Sequence, residues 1–314
     1  MENLYRAWEE FVKGKQNKMD VVEFALNLSD NIYGLHQDLA NHKYCHGSYH
    51  HFRISDPKPR DIHKASVRDR LLHHAVHRVL YTYFDRKFVN DSYSCRVAKG
   101  THKAMDRFRA FAYKVSKNNT KTCWVLKCDI KKFFASIDHA TLKEILAKRI
   151  TDRDTLRLLG NVIDSFDSGL AGKGLPLGNL TSQILVNIHM NEFDQFVKHK
   201  LKVKYYIRYA DDFVILSQDK TYLEFLMSEF GNYLQTSLAL TLHPDKCYIK
   251  TFASGVDFLG WIHFPTHRVL RTSSKCRMFR NLGVKPQNGA TVSSYLGMLG
   301  HGDAWKLTER LREL

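Results

Sequence analysis

The sequence predicts a mixed body of helices and strands, of the α+β or α/β class. Three observations carry this. Two runs of strand-like apolar character, CWVLKCDI (123–130) and YYIRYADDFVILS (205–217), interrupt segments whose apolar residues recur at helical spacing. None of the six prolines lies between Pro59 and Pro176, which suits a helix-rich stretch. With 314 residues, 44% of them hydrophobic and 25% charged, the chain has ample material for a core.

The elements follow in order. Two N-terminal helices are expected, near 3–13 and 20–41. SVRDRLLHHAVHRVLYTYF (66–84) opens on a Ser66-x-x-Asp69 capping box, and Val67, Leu71, Leu72, Val76, Val79, Leu80 and Tyr83 then recur at helical spacing. A further helix fits 100–117. CWVLKCDI reads as a buried strand, HATLKEILAKRI (139–150) as a helix, and GNLTSQILVNIHMNEFDQFVKHK (178–200) as a long helix after a Gly/Pro turn. After the 205–217 hairpin come a helix near 220–236, a loop with Pro244, and GVDFLGWIHF (255–264) as a strand. The last 45 or so residues read as helical and basic. No repeat, low-complexity tract or flexible linker interrupts the chain.

The charge is uneven. Lys and Arg total 48 against 32 Asp and Glu, a net of +16. Residues 1–40 are net −3, residues 41–120 net +11, residues 201–266 net −1 and residues 267–314 net +6. Basic segments thus flank a near-neutral part that holds Asp211 and Asp212. A basic surface of this size points to a polyanion, most simply nucleic acid; the plain alternative is a basic protein without such a partner. The six cysteines form no CxxC pair, so reduced thiols are expected. No apolar run reaches the roughly 18 residues of a membrane span, and the N-terminus carries no signal-peptide pattern. A cytoplasmic protein with no membrane partner is expected.

Asp211 and Asp212 sit at the tip between two apolar strand runs. Adjacent side chains of a strand point to opposite faces, so the pair serves one metal only if the turn rotates them. A third carboxylate from a neighbouring strand would complete a site, and Asp129, ending an apolar strand, offers one. Two Mg²⁺ ions roughly 4 Å apart, or Mn²⁺ in their place, would activate a 3′-hydroxyl and stabilise a leaving pyrophosphate. Burying such carboxylates without cations would be costly. The plain alternative is a solvated hairpin turn. His42, Cys45, His46, His50 and His51 are zinc-ligand types, but their spacing matches no standard zinc pattern. His73 and His77 could ligate a metal at i, i+4, though RNA contact or plain exposure is the simpler reading.

Taken together, CDIKKFF, GLPLGNLTSQILVN and YADD resemble the palm motifs of reverse transcriptases, in that family's order and with suitable spacing. DPKPRDIHKASVRDRLLHHAV resembles the fingers, DSYSCRVAKGTHKAM the block after them, LTLHPDKCYI the motif after the catalytic hairpin, and GVDFLGWIHFPTHRVLR the strand pair leading to the thumb. The resemblance covers roughly residues 4 to 306. It implies a right-hand polymerase fold: an N-terminal helical extension (1–52), fingers (53–120), a palm with an antiparallel sheet (121–265, with fingers-associated helices near 139–171) and a short helical thumb (266–314). Within the family the chain looks most like the diversity-generating retroelement enzymes, which are compact and carry an aliphatic residue where many relatives have Gln before the motif glycine. Leu177 stands in that place. That group copies a template-repeat RNA into cDNA, misincorporates opposite template adenines, and works with a basic accessory variability protein in a bacterial host.

What the resemblance implies can be carried over residue by residue. Asp129 and Asp211 match the two metal aspartates, and Asp212 a third with a less direct metal role. Ile130 would offer backbone contacts to the metal and triphosphate region. Phe134, five residues after Asp129, matches the steric gate that collides with a 2′-OH; its plain alternative is a core aromatic beside Phe133. Lys58 and Arg60 match the fingers residues that grip the triphosphate, where a cation and a planar donor fork suit phosphate oxygens. Arg68 or Arg70 would assist or line RNA. Lys246 matches a lysine that protonates or neutralises the leaving pyrophosphate, with an ordinary surface lysine as the alternative. Gly178 would let the backbone approach the base pair closely, and Leu177 would lose the hydrogen bonds a Gln makes there. Tyr209 would pack near the primer end. Arg268, Arg271, Lys275, Arg277 and Arg280 would track phosphates from the thumb. The implied partners are template RNA, cDNA and dNTPs. Other readings are a defence-associated or retron-like reverse transcriptase and, from another class, a catalytically idle RNA-binding scaffold, which the intact Asp129, Asp211 and Asp212 argue against.

Overall fold

A computed structural model describes residues 1–55, 59–284 and 289–312. In chain order its elements are α1 (Glu2–Val12), α2 (Met19–Leu26), α3 (Leu28–Ala40), β1 (His50–Ile54), β2 (Arg60–Lys64), α4 (Val67–Phe84), α5 (Thr101–Val115), β3 (Trp124–Asp129), the single turn α6 (Phe133–Ser136), α7 (His139–Ala147), α8 (Arg153–Asp164), α9 (Leu180–Gln195), β4 (Tyr206–Tyr209), β5 (Asp212–Ser217), α10 (Lys220–Leu238), β6 (Tyr248–Thr251), β7 (Val256–Phe258), β8 (Trp261–His263), β9 (Arg268–Leu270), α11 (Thr272–Val284), α12 (Gly289–Leu299) and α13 (Trp305–Arg312). Helices and antiparallel sheets mix as the α+β expectation required. No helix among the described residues is long and apolar enough to cross a membrane.

The chain divides into two compact units, each assembled from three separated segments. The first comprises Met1–Asn90, Ile130–Lys200 and Asn232–Thr241. Here α1 lies against α4, and α4 against α9. Leu4, Ala7 and Phe11 of α1 interlock with Leu71, Leu72 and Ala75 of α4 and with Ile32 and Leu35 of α3, and each such fully buried large side chain contributes about 1.5–3 kcal/mol. The hairpin β1–β2 pairs His50 with Lys64 through Ile54 with Arg60.

The second unit comprises Asp91–Asp129, Leu201–Gly231 and Leu242–Leu314. Its sheet runs β4-β5-β3-β6, all antiparallel. The four inner residues of β3 and of β5 are buried, which is why both strands are almost uniformly apolar. Val125, Ile207, Val214 and Leu216 pack with Ala104, Phe108 and Phe111 of α5. Phe213 meets Tyr206 and Phe230 at ring-centroid distances of 6.2 and 5.9 Å. A second sheet, β7-β8-β9, packs Trp261 and Leu270 with Met278, Leu299 and Leu311 of α11–α13.

Several element boundaries correct the sequence reading. The single helix expected over 20–41 breaks at Asn27 (φ −121°, ψ 42°), a residue of low helix propensity. The single strand expected over 255–264 is a hairpin: Phe258 pairs with Trp261, and Leu259 (φ 53°) and Gly260 (φ 87°) form the two-residue left-handed turn between them. The helix expected over 178–200 ends its α-helical part at Gln195 and finishes in a π-helical turn, Phe196–Lys200. Strands β1, β2 and β6 were not foreseen; the strand pair implied over GVDFLGWIHFPTHRVLR is a three-stranded sheet, β7-β8-β9, and α8 falls in the stretch near 139–171 where the resemblance implied helices.

Of the expected capping box the N-cap half forms, while the Asp69 carboxylate accepts from the Ser66 hydroxyl, the Gly47 N–H and the Tyr44 hydroxyl rather than from the Ser66 backbone N–H. Ser66 Oγ accepts from the Asp69 backbone N–H at 3.1 Å and donates to Asp69 Oδ2 at 2.6 Å. Ser66→Ala should therefore destabilise the first unit by about 1–2 kcal/mol, whereas Ser66→Thr should stay close to wild type, as read by urea unfolding.

Candidate active site

Two strand ends build the site. In the β3–β5 ladder Asp129 is paired directly with Asp212. Residues directly opposite in an antiparallel pair project from the same face, and like charges placed so are destabilising. Tyr209 pairs with Asp212 across the β4–β5 hairpin, which leaves Ala210 and Asp211 as a two-residue turn. Asp211 thus sits in the turn while Asp212 belongs to the ladder, so the alternation of a regular strand does not govern the pair. Ala210 has φ 56°, a left-handed conformation that costs a non-glycine residue roughly 1–2 kcal/mol. The turn is held from inside. Arg208, with no exposed surface, donates to the Ala210 carbonyl at 3.1 Å and to Ser92 Oγ at 3.2 Å.

Two lysines meet the carboxylates. Lys246 Nζ donates to Asp129 Oδ1 at 3.0 Å, positioned by the His243 N–H bond to the Asp129 carbonyl at 2.8 Å. Lys127 Nζ lies 3.5 Å from Asp212 Oδ2. Lys127 was not among the sequence candidates. Its signal was available: it is the one cation in the apolar run WVLKCD, two residues before Asp129 and so on the same strand face. The other oxygen of Asp212, Oδ1, is buried without a hydrogen-bond partner. Burial pushes the Asp212 carboxyl up to about 7; Asp211 and Asp129 add to the rise, and Lys127 opposes it.

An all-carboxylate donor set suits a hard divalent cation, and the orphaned Asp212 oxygen fits one. Among the described residues, however, no three His, Cys, Asp or Glu side chains already stand as a metal-ligand cluster; lysines hold Asp129 and Asp212 instead. The same finding covers the histidine-rich segment. His46 is stacked between Tyr49 and His73, at centroid distances of 4.8 and 5.2 Å, and Cys45 is exposed. All six cysteines are free.

The remaining candidates fall in both units. In the second, Tyr209 is half-buried and accepts from Thr101 Oγ1 at 3.3 Å. Arg268 pairs with Asp106 at 3.3 Å and donates to the His301 carbonyl, and Arg271 pairs with Asp257 at 3.0 Å. Lys275, Arg277 and Arg280 lie along α11. In the first unit, Ile130 is buried directly after Asp129. Phe133 is buried and Phe134 is partly exposed, their rings edge-to-face at 5.5 Å; Phe133 is the core aromatic of the two. The Leu177 carbonyl accepts from the His63 N–H at 3.2 Å. Gly178 has φ 108°, and a Cβ there would stand 3.1 Å from Ile62 Cγ2, so the close approach it permits here is to β2. Arg60 opens β2 and is exposed. Arg68 is ion-paired with Asp38 at 2.6 Å, and Arg70 with Asp20. Lys58 lies outside the described residues.

With this geometry in place, comparison with known proteins is decisive. Residues 55–263 match the family model described as reverse transcriptase (RNA-dependent DNA polymerase). The chain belongs to the reverse transcriptase family. Protein YkfC of Escherichia coli is 27% identical over 274 residues, covering 75% of this chain and 70% of YkfC. The group II intron-encoded protein LtrA of Lactococcus lactis is 26% identical over 271 residues, covering 65% of this chain and 44% of LtrA. The fold resembles that of apo telomerase from Candida tropicalis, with a TM-score of 0.55 at 13% identity, over 81% of this chain and 52% of that one. This reverse transcriptase chain therefore spans most of YkfC but about half or less of the other two. The likeness to telomerase agrees with the expected right-hand polymerase fold.

The raised Asp212 carboxyl has a signed consequence for stability. Below about pH 4 the group is protonated in both folded and unfolded chains. Between about pH 4 and pH 7 the unfolded chain has released the proton and the folded one retains it, so stability falls as pH rises through this window. In EDTA, Asp212→Asn should show a stability advantage over wild type that grows from pH 4 to pH 7 and then levels off, measured by urea unfolding. An advantage independent of pH would contradict this origin.

Proposed function

We propose that the chain is an RNA-templated DNA polymerase that extends a primer 3′-hydroxyl with deoxynucleotides. One observation carries the reading: Asp129 and Asp212 are opposed at the end of the β3–β5 ladder with Asp211 in the adjoining turn, in a chain of the reverse transcriptase family. Asp129, Asp211 and Asp212, with the Ile130 carbonyl, would hold two Mg²⁺ ions, or Mn²⁺, which when bound activate the hydroxyl and neutralise the departing pyrophosphate. Lys246 moves from Asp129 toward that pyrophosphate. Lys127 stays with Asp212 and keeps its carboxylate oriented. Phe134 excludes a 2′-hydroxyl, and Lys58 and Arg60 grip the triphosphate. Arg68 and Arg70 line the template, each in exchange with its present acidic partner. Tyr209 supports the primer end, and Arg268, Arg271, Lys275, Arg277 and Arg280 follow the duplex phosphates.

The finer reading is a diversity-generating reverse transcriptase that makes adenine-mutagenised cDNA from a template-repeat RNA, partnered by a basic accessory protein. It is supported by LPLGNLTSQ, where Leu177 precedes Gly178. An aliphatic side chain makes no hydrogen bond to the incoming nucleotide, so geometric checking weakens. The acidic segment 1–40 offers a surface for the basic partner. Similarity to LtrA favours a second reading, an intron-type enzyme of ordinary fidelity, and the error spectrum separates the two.

In an extension assay with RNA template, primer, dNTPs and Mg²⁺, wild type should extend and Asp211→Asn should lose at least about 100-fold in rate. Tight RNA binding without extension by either protein would favour the idle scaffold. Sequencing the wild-type cDNA should find errors concentrated opposite adenine, and Leu177→Gln should reduce them several-fold. An unchanged spectrum would remove Leu177 from the account.

A further inference from the structure

Two of the six cysteines meet behind the candidate active site. Strands β3 and β6 pair Trp124 with Thr251 through Lys127 with Tyr248, and one further step in the same register sets Cys128 opposite Cys247. The other end of the ladder tells what kind of step this is. The Phe252 N–H donates to the Cys123 carbonyl at 2.7 Å, which makes Cys123 and Phe252 a hydrogen-bonded pair. Hydrogen-bonded and non-hydrogen-bonded pairs alternate along an antiparallel ladder. Cys128 and Cys247 lie an odd number of steps away and so form a pair of the second kind. Such partners stand closest, with Cα atoms about 4.5 Å apart, inside the range of about 4.4–6.8 Å over which a disulfide closes.

The side chains agree with the register. The two thiols are hydrogen-bonded to one another. Cys247 Sγ donates to the Asp129 carbonyl at 3.8 Å, so the proton between the sulfurs belongs to Cys128. Cys128 has no exposed surface, whereas Cys247 is partly exposed. A small oxidant therefore reaches Cys247 first, and Cys128 stands behind it as the resolving thiol. Successive side chains of a strand face opposite ways, so Cys128 lies on the face turned from Lys127 and Asp129. On the near side Lys246, the residue before Cys247, donates to Asp129 Oδ1 at 3.0 Å.

We propose that Cys128 and Cys247 form a reversible disulfide on encounter with hydrogen peroxide, and that this bond slows nucleotide transfer by tethering Lys246 to the end of β3. The Cys247 sulfur attacks one peroxide oxygen, the O–O bond breaks, and the thiol proton leaves with the departing hydroxyl as water, which makes Cys247 a sulfenic acid. The Cys128 sulfur then attacks the Cys247 sulfur, the S–O bond breaks, and the hydroxyl leaves with the Cys128 proton as a second water. Two electrons pass from the thiols to the peroxide, and a dithiol reductant returns them. The slowing rests on the polymerase reading, in which Lys246 leaves Asp129 for the pyrophosphate. A covalent bond at the adjoining residue restrains that movement.

The test treats the full chain with hydrogen peroxide, blocks the remaining thiols with iodoacetamide and maps the peptides without reduction. A peptide joining Cys128 to Cys247 should appear, about 2 Da lighter than its two thiol halves together, and should vanish with dithiothreitol. Primer extension by the same sample should fall at least about tenfold and return with dithiothreitol. Cys247→Ser should form no joined peptide and keep its extension rate in peroxide; Cys128→Ala serves if Cys247→Ser does not fold. Absence of the joined peptide, or Cys247 recovered only as the sulfinic acid, overturns the proposal. So does a joined chain that extends at its full rate, or an equal loss of extension in wild type and Cys247→Ser. The joined peptide is read without activity, which keeps the two readings apart. A chain that joins its cysteines but extends in neither state overturns the polymerase reading alone, and one that extends but never joins them overturns only this proposal.

Discussion

The opposition of Asp129 and Asp212 across one end of an antiparallel ladder is the constraint around which the second unit is organised. Nothing local favours it. It persists because β3 and β5 bury their interiors on both faces, and a one-residue slip would turn every side chain of a strand to the other face. Hydrophobic burial thus fixes an electrostatic conflict in place. Lys127 and Lys246 relieve part of it, and the elevated Asp212 carboxyl is the part that remains.

The turn beside this pair follows the same logic. Ala210 adopts a backbone conformation better suited to glycine, and a wholly buried guanidinium, Arg208, holds its carbonyl. Burying a cation is justified only when its donors are used, and Arg208 uses them on the turn and on Ser92. The carboxylates are therefore carried by strands and a braced turn rather than by a pliant loop, which is the support that precise chemistry needs.

Much of this was legible in the sequence. Strand runs ending in aspartate announced the site, and the Ser66 cap announced the start of α4. Less legible were features decided by distant partners. Arg68 and Arg70 read as free cations on a basic helix, yet their carboxylate partners, Asp38 and Asp20, lie 30 and 50 residues away. Lys127 and Arg208 read as blemishes in apolar strands, because nothing local says which carboxylate or carbonyl a buried cation will meet. The residue pattern alone left the β7–β8 hairpin as one strand, because its turn is Leu-Gly, with only one of the two residues that usually mark such a bend; the strand pair came from the resemblance.

The way the two units are threaded along the chain bears on how the protein is made. Neither can close until a late segment emerges from the ribosome: the first needs Asn232–Thr241, the second Leu242–Leu314. Strand β3 pairs with β5 and β6, and its β5 partner is encoded about 80 residues later, roughly 4–16 s at the usual speed of synthesis. For that interval WVLKCD is a sticky, unpaired edge. An apolar strand left unpaired for that long is open to aggregation, so the order of synthesis, and not only the final fold, bears on how much of the protein reaches it.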